Sequence, residues 1–200
     1  MKNILILSLC LLLFSCQQQP STKALDVSVE PDSTNTISLQ IDSLTTQIGL
    51  DSLNAALYFE RAELYLKNKS LSPGSSDLLK AVRLDSTNAF YWQQIGTLYY
   101  AMKNSRFAKN SWEECARLDS RNIECRLSLA EVYLAVGEFK KGQVKINEVL
   151  NFDSKNPEAL YLSGNYALME GDTVKAIKYI QASINQNLDF FKAYDLMGVL

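Results

Sequence analysis

Leu50-Asp51-Ser52-Leu53-Asn54 recurs as Leu84-Asp85-Ser86-Thr87-Asn88, as Leu118-Asp119-Ser120-Arg121-Asn122 and as Phe152-Asp153-Ser154-Lys155-Asn156. Each step is 34 residues, with no insertion. A fixed period of that length places successive segments in the same structural phase, the signature of a solenoid whose units pack mainly on their neighbours. The phase divides the chain into units 55–88, 89–122, 123–156 and 157–190, with 191–200 as the first helix of an incomplete fifth. Only 4 prolines and 8 glycines occur in 200 residues, which favours helices over a turn-rich β fold. Short polar side chains in Asp-Ser-x-Asn are suited to ending one helix and capping the next.

Within each unit the apolar and small residues keep the same phase. The second unit has Trp92, Ile95, Gly96 and Tyr99, then Ala108 and Trp112. The first supplies Tyr58, Ala62, Tyr65, Leu78 and Ala81; the third Leu129, Ala130, Tyr133, Gly137, Gly142 and Ile146; the fourth Leu160, Gly164, Gly171, Ala176 and Ile180. This pattern resembles the tetratricopeptide repeat, W-x2-L-G-x2-Y…A-x3-F…P. The resemblance covers 38–200 and implies an all-α, right-handed α-solenoid of helix–turn–helix units. Departures are Ser86, Ser120 and Ser154 in place of the closing proline, Gly74 for a usual alanine, Ala167 for a usual tyrosine, and a 69–73 turn lacking Gly-Asp. Small residues (Ala62, Gly96, Ala130, Gly164) are expected where the two helices of a unit approach closely. Trp92, Tyr99, Trp112 and Tyr133 are expected to fill the space between units, which makes both tryptophans core residues rather than a sugar platform.

The N-terminus reads as an address. Met1-Lys2-Asn3 precedes an apolar run of 11 residues, Ile4–Phe14, too short to span a bilayer but of signal-peptide length. Leu13-Phe14-Ser15-Cys16 resembles the bacterial lipobox, which implies a signal peptide over 1–15 and acylation, with palmitate or similar chains, of Cys16 as the first mature residue. More than one acyl chain anchors stably where one is marginal. Gln17, in place of an aspartate that signals inner-membrane retention, points to the outer membrane of a Gram-negative, Bacteroidota-like cell. The absence of an acidic cluster after Cys16 points to the periplasmic side rather than surface exposure. Residues 16–37 read as a flexible tether with a reach of roughly 25 Å. Residues 38–54 read as an N-terminal capping helix with Ile41, Leu44 and Ile48 on one face.

Several function classes are disfavoured by composition. There is no histidine, which removes the commonest general base and metal ligand, and a net charge of −2 gives no broad attraction to nucleic acid. Adjacent helical residues diverge, so Glu113-Glu114 is not a catalytic pair. We expect no enzyme, no cofactor and no metal. Cys115 closes one helix and Cys125 opens the next. A disulfide between them requires Cα atoms within about 7 Å, and both positions also suit small buried residues. The resemblance further implies a concave groove lined by first helices. By phase it includes Phe59, Glu63 and Leu66; Phe90, Gln93, Thr97 and Tyr100; Glu124, Leu127, Glu131 and Leu134; and Glu158, Tyr161, Asn165 and Leu168. No Lys or Arg stands in that set, so the carboxylate clamp of chaperone-binding relatives is not expected. Apolar groups among acids suit a segment with apolar anchors and basic flanks. The reading is a lipid-anchored envelope scaffold that binds a segment of another envelope protein. Alternatives are a glycan-capture lipoprotein of a nutrient-uptake system and the regulatory repeat part of a longer protein.

Overall fold

The structure, a computed structural model, describes residues 33–200. The signal peptide, Cys16 and all but the end of the tether lie outside the described residues. Ten helices follow one another among the described residues: α1 (Ser33–Leu50), α2 (Ala55–Lys67), α3 (Leu71–Leu84), α4 (Ala89–Ala101), α5 (Ser105–Leu118), α6 (Ile123–Ala135), α7 (Phe139–Phe152), α8 (Pro157–Met169), α9 (Thr173–Gln186) and α10 (Phe191–Met197). They stack as a right-handed α-solenoid. First helices (α2, α4, α6, α8, α10) alternate with second helices (α3, α5, α7, α9). The helix α1 stands where a second helix would precede α2. None of the described helices is long and apolar enough to cross a membrane.

The repeated turn between units satisfies its backbone in a repeated way. Asp51, Asp85, Asp119 and Asp153 each accept from the N–H two residues on, at 3.4, 3.1, 2.9 and 3.1 Å. Asn54, Asn88, Asn122 and Asn156 then cap α2, α4, α6 and α8 by accepting from a first-turn N–H. A third donor comes from the fourth residue of the first helix. Tyr58 Oη donates to the Ser52 carbonyl (3.2 Å), Trp92 Nε1 to that of Ser86 (2.9 Å), and Arg126 Nη1 to those of Asp119 (3.4 Å) and Asn122 (2.9 Å). In the fifth turn Asn187 replaces the aspartate and still accepts from Asp189 N at 3.0 Å. Phe190 stands where the asparagine cap would be and makes no side-chain cap.

Close approach of helices is set by missing side chains. A Cβ on Gly96 would meet the Trp112 indole at 2.5 Å, and one on Gly164 would meet Ile180 at 2.6 Å. Ala62 and Ala130, the other small residues of that phase, are fully buried. Trp112 is 3% exposed, and its Nε1 lies over Gly96 without an acceptor among the described residues. Between units, the Tyr166 side chain passes over Gly142, where any Cβ would collide with its hydroxyl, and donates to the Ala130 carbonyl at 2.7 Å. Burial pushes that hydroxyl's pKa up to about 12. Cys115 and Cys125, both fully buried, are joined by a disulfide that ties α5 to α6 with a Cα separation of 6.3 Å.

Two features depart from the sequence reading. The first helix starts at Ser33, inside the segment assigned to the tether, and ends at Leu50 rather than 54. Ile37 lies one turn before Ile41 on the stripe that continues through Leu44 and Ile48, and Ile37, Leu44 and Ile48 are all buried. That extra apolar turn extends the helix, and the Asp51 turn stops it. The turn inside each unit also differs between halves of the stack. Gly137 and Gly171 have φ of +76° and +80°, but the equivalent positions hold Lys69 and Lys103, at +59° and +62°. A side-chain-bearing residue pays about 1–2 kcal/mol there.

Replacing Gly142 with Ala forces a methyl into the path of Tyr166. We expect a loss of about 1–3 kcal/mol in urea unfolding, in the range of overpacked cores. Restoring the space with Tyr166→Leu in the same chain returns part of that loss, whereas two independent defects would add.

Candidate functional site

The concave wall expected of a tetratricopeptide-type stack is formed by its first helices, and the 34-residue phase assigns the same four positions of each to it. The second position carries Ala56, Phe90, Glu124, Glu158 and Lys192. The fifth carries Phe59, Gln93, Leu127 and Tyr161; the ninth Glu63, Thr97, Glu131 and Asn165; the twelfth Leu66, Tyr100, Leu134 and Leu168. Steps of three and four residues keep these on one face of a helix.

The two ends of the wall differ in chemistry. At the N-terminal end, Phe59 stacks on Tyr91 with ring centroids 5.0 Å apart and meets Phe90 at 5.3 Å. Phe90 remains 47% exposed, whereas Phe59 is only 9% exposed. Leu66 is half-buried, turned against Gly74 of α3. Glu63, with Glu60, borders an open recess of ≈ 390 Å³ between α1 and α2, shared with Gln40, Ser43, Leu44 and Leu64.

The middle and C-terminal part is acidic. The Gln93 side chain bridges two units: its Nε2 donates to Glu124, and its Oε1 accepts from Asn122 Nδ2 at 2.9 Å. Tyr100 is half-buried and tilted against Trp112 at 5.5 Å; burial, reinforced by the charge of Glu131, holds its pKa above the ordinary value. Burial also raises the Glu158 carboxyl; Lys192 opposes the rise, while Glu131 and Glu124 add to it. Three carboxylates from α6 and α8 therefore share one stretch of wall with a single ammonium from α10. Beside them, Tyr161 packs edge-on against Phe190 at 5.3 Å, and Asn165 Nδ2 donates to the Tyr161 carbonyl at 3.1 Å. Leu134 and Leu168 are half-buried at the far end of α6 and α8.

Two residues placed on the groove by phase do not face it freely. Phe59 is covered by Phe90 and Tyr91, and Leu127, 5% exposed, belongs to the cluster of Leu162 and Tyr166. At this fifth position a neighbouring unit with large side chains buries the residue. One lining residue was missed. Lys192 is Glu158 advanced by one period, so the claim of a wall without cations holds only through the fourth unit. Trp92 and Trp112 do not reach the wall: Trp92 is half-buried and closes the Ser86 turn, and Trp112 lies in the core.

Chemically, this wall has hydrogen-bond acceptors in excess, partly buried aromatic and aliphatic side chains beside them, and mutual repulsion among Glu124, Glu131 and Glu158. A cation set among those acids relieves the repulsion, and an apolar side chain finds partners on either side.

No family model and no curated protein matches the chain. Solved structures do. YrrB, described as a tetratricopeptide-repeat protein with an unusual peptide-binding site, superimposes with a TM-score of 0.71 at 18% identity, covering 82% of this chain and 84% of that one. MamA superimposes with a TM-score of 0.70 at 17% identity, over 80% of this chain and 94% of that one. MamA of Desulfovibrio magneticus RS-1 gives 0.65 at 16% identity, over 72% and 82%. At such identities the likeness establishes the fold, the tetratricopeptide-type solenoid.

The Glu158 carboxyl binds its proton more tightly in the folded chain than in the unfolded one, so its ionisation weakens the fold as pH rises through that titration. Glu158→Gln is expected to raise the melting temperature at neutral pH. The gain should vanish below the ordinary glutamate pKa of about 4.3, where both states are protonated. A gain that persists undiminished in acid would contradict this.

Proposed function

We propose that the protein is a lipid-anchored envelope scaffold whose concave wall captures a segment of another envelope protein. The captured segment carries apolar or aromatic anchors flanked by Lys or Arg. The observation that carries this reading is the acidic stretch formed by Glu124, Glu131 and Glu158 next to the half-buried Tyr100 and Tyr161. Like charges set close together are costly alone and favourable with a cationic guest. The peptide occupies the groove in extended or helical form, with its cations over α6 and α8 and an apolar side chain toward Phe90 and Leu66.

The envelope address rests on the leader and Cys16, with anchoring in the outer membrane and the solenoid facing the periplasm. The Cys115–Cys125 disulfide supports an oxidising compartment, because such bonds seldom persist in a reducing cytosol. The lipid on Cys16 and the tether place the groove within reach of partners at the membrane.

Intact mass of the protein extracted from membranes should show acyl chains on an N-terminal Cys16. Cys16→Ser should abolish them and deplete the protein from the outer-membrane fraction. An unacylated mature chain starting elsewhere would refute the anchor.

For the groove, binding of two synthetic peptides with the same aromatic anchors, one Lys-flanked and one Glu-flanked, should be compared by fluorescence anisotropy. The Lys-flanked peptide should bind more tightly. Glu131→Lys with Glu158→Lys should reverse the order, and Tyr161→Lys should weaken the Lys-flanked peptide at least tenfold. Equal binding of both peptides to every variant would sink the groove claim.

A further inference from the structure

The turns inside the units all lie on one edge of the solenoid, because each first helix runs in the same direction as the last. The turns between units lie on the other edge. The two edges have different chemistry. Over residues 67–73, 101–109, 135–141 and 169–175 there are eight Lys or Arg and three acids, in a chain whose net charge is −2. The opposite edge carries the repeated Asp51, Asp85, Asp119 and Asp153.

The acids of the basic edge are already engaged. Glu138 pairs with Lys109 at 4.0 Å and with Lys141, and Glu170 pairs with Lys175 at 3.5 Å. Asp172 caps α9. Lys67, Lys69, Lys103, Arg106 and Lys140 are exposed and form no ion pair among the described residues. Large apolar side chains stand between them. Met102 and Phe107 are 43% and 54% exposed, Val136 and Phe139 53% and 37%, and Met169 and Val174 61% and 66%. They recur at the same turn of three successive units, so they form a strip along the edge rather than a single patch.

Backbone conformation adds an independent sign. Lys69 and Lys103 hold the left-handed position that the next two units give to Gly137 and Gly171. The same fold accepts glycine there, so two lysines are kept at the very tips of the edge in a strained conformation that favours glycine.

We propose that this edge is a membrane-docking surface. It seats on an anionic bilayer, with Lys69, Lys103, Arg106 and Lys140 at the headgroups and the Met, Phe and Val side chains entering the interface. Interleaved cations and large apolar groups are the composition by which peripheral proteins bind anionic lipid. The surface is separate from the concave wall, and it does not depend on acylation of Cys16.

The test uses the full chain with Cys16→Ser and phosphatidylcholine vesicles with and without phosphatidylglycerol, read by flotation at low and high salt. The leader, with its α-amino group and Lys2, adds the same anionic preference to every variant, so the parent chain is compared with the variants. The parent chain should favour the anionic vesicles, and that preference should fall in high salt. The variant Lys69→Gly, Lys103→Gly, Arg106→Gln, Lys140→Gln should lose more than a hundredfold of it, at roughly fivefold per charge. Because the glycine substitutions relax strained positions, its melting temperature should not fall. Met102→Gln with Met169→Gln should weaken binding at both salt levels. Partitioning that ignores lipid charge, as expected if the edge serves an acidic protein, overturns the proposal, and so does a preference undiminished in the fourfold variant.

Discussion

The turn between units is the constraint from which the stack is built. Ending one helix and starting the next within four residues leaves helix-terminal carbonyls and amides without partners. Asp, Asn and a donor on the following helix supply them in turn. The aspartate takes the amide two residues on, the asparagine takes the amide of the second or third helical residue, and Tyr58, Trp92 or Arg126 reaches back to the turn carbonyls. Three unlike side chains reach turn carbonyls from one position, so what these three units share there is a donor of sufficient reach. Leu160, at the equivalent place in α8, has no such donor.

With the turn fixed, each pair of neighbouring helices meets at a set angle and distance, and packing is solved locally. Gly96 admits Trp112, Gly164 admits Ile180, and Gly142 admits Tyr166 from the next unit. These solutions differ from one another, as expected of a stack whose interfaces are energetically separate. The interface between α5 and α6 is the one that carries a covalent link. The positions of Cys115 and Cys125 are held elsewhere by Ala81 and Tyr91, by Val149 and Ala159, and by Ser183 and Ala193. Ordinary buried contacts therefore suffice at the other three junctions. The link lies at the middle of the stack, beside the Gln93 bridge that joins the same two units across the groove.

Most of the fold was legible because a 34-residue period transfers knowledge between units. One well-resolved unit, with Trp92, Gly96, Tyr99 and Ala108, indicates where to look in the other three. What the period does not carry is the identity of neighbours. Phe59 and Leu127 occupy the same position as Gln93 and Tyr161, yet they are buried because of what the adjoining unit places over them. The start of α1 was obscured by Ser33, Thr34 and Thr36, which read as tether, while the decisive residue was the single Ile37 one turn before the visible stripe. Lys192 lay in plain phase with Glu158, but a unit with one short helix drew no attention as part of a wall.

The same period also sorts charge, and this is why an overall charge near zero says so little here. A residue type recurring once per unit adds along the whole length of the solenoid, because equivalent positions face the same way. Aspartate recurs at the turns between units for a backbone reason, and it makes that edge acidic as a by-product. Lysine and arginine at the turns within units have no such backbone role: Lys69 and Lys103 are worse than glycine for the chain's conformation. On the wall, acids accumulate at Glu124, Glu131 and Glu158, and the ionisation of Glu158 is disfavoured there. The turn aspartates follow from folding, whereas Glu158 on the wall and Lys69 and Lys103 on the edge run against it. Charge placed against the preference of the fold is the kind most reasonably ascribed to a partner, and on this molecule it occurs on two separate surfaces with opposite sign.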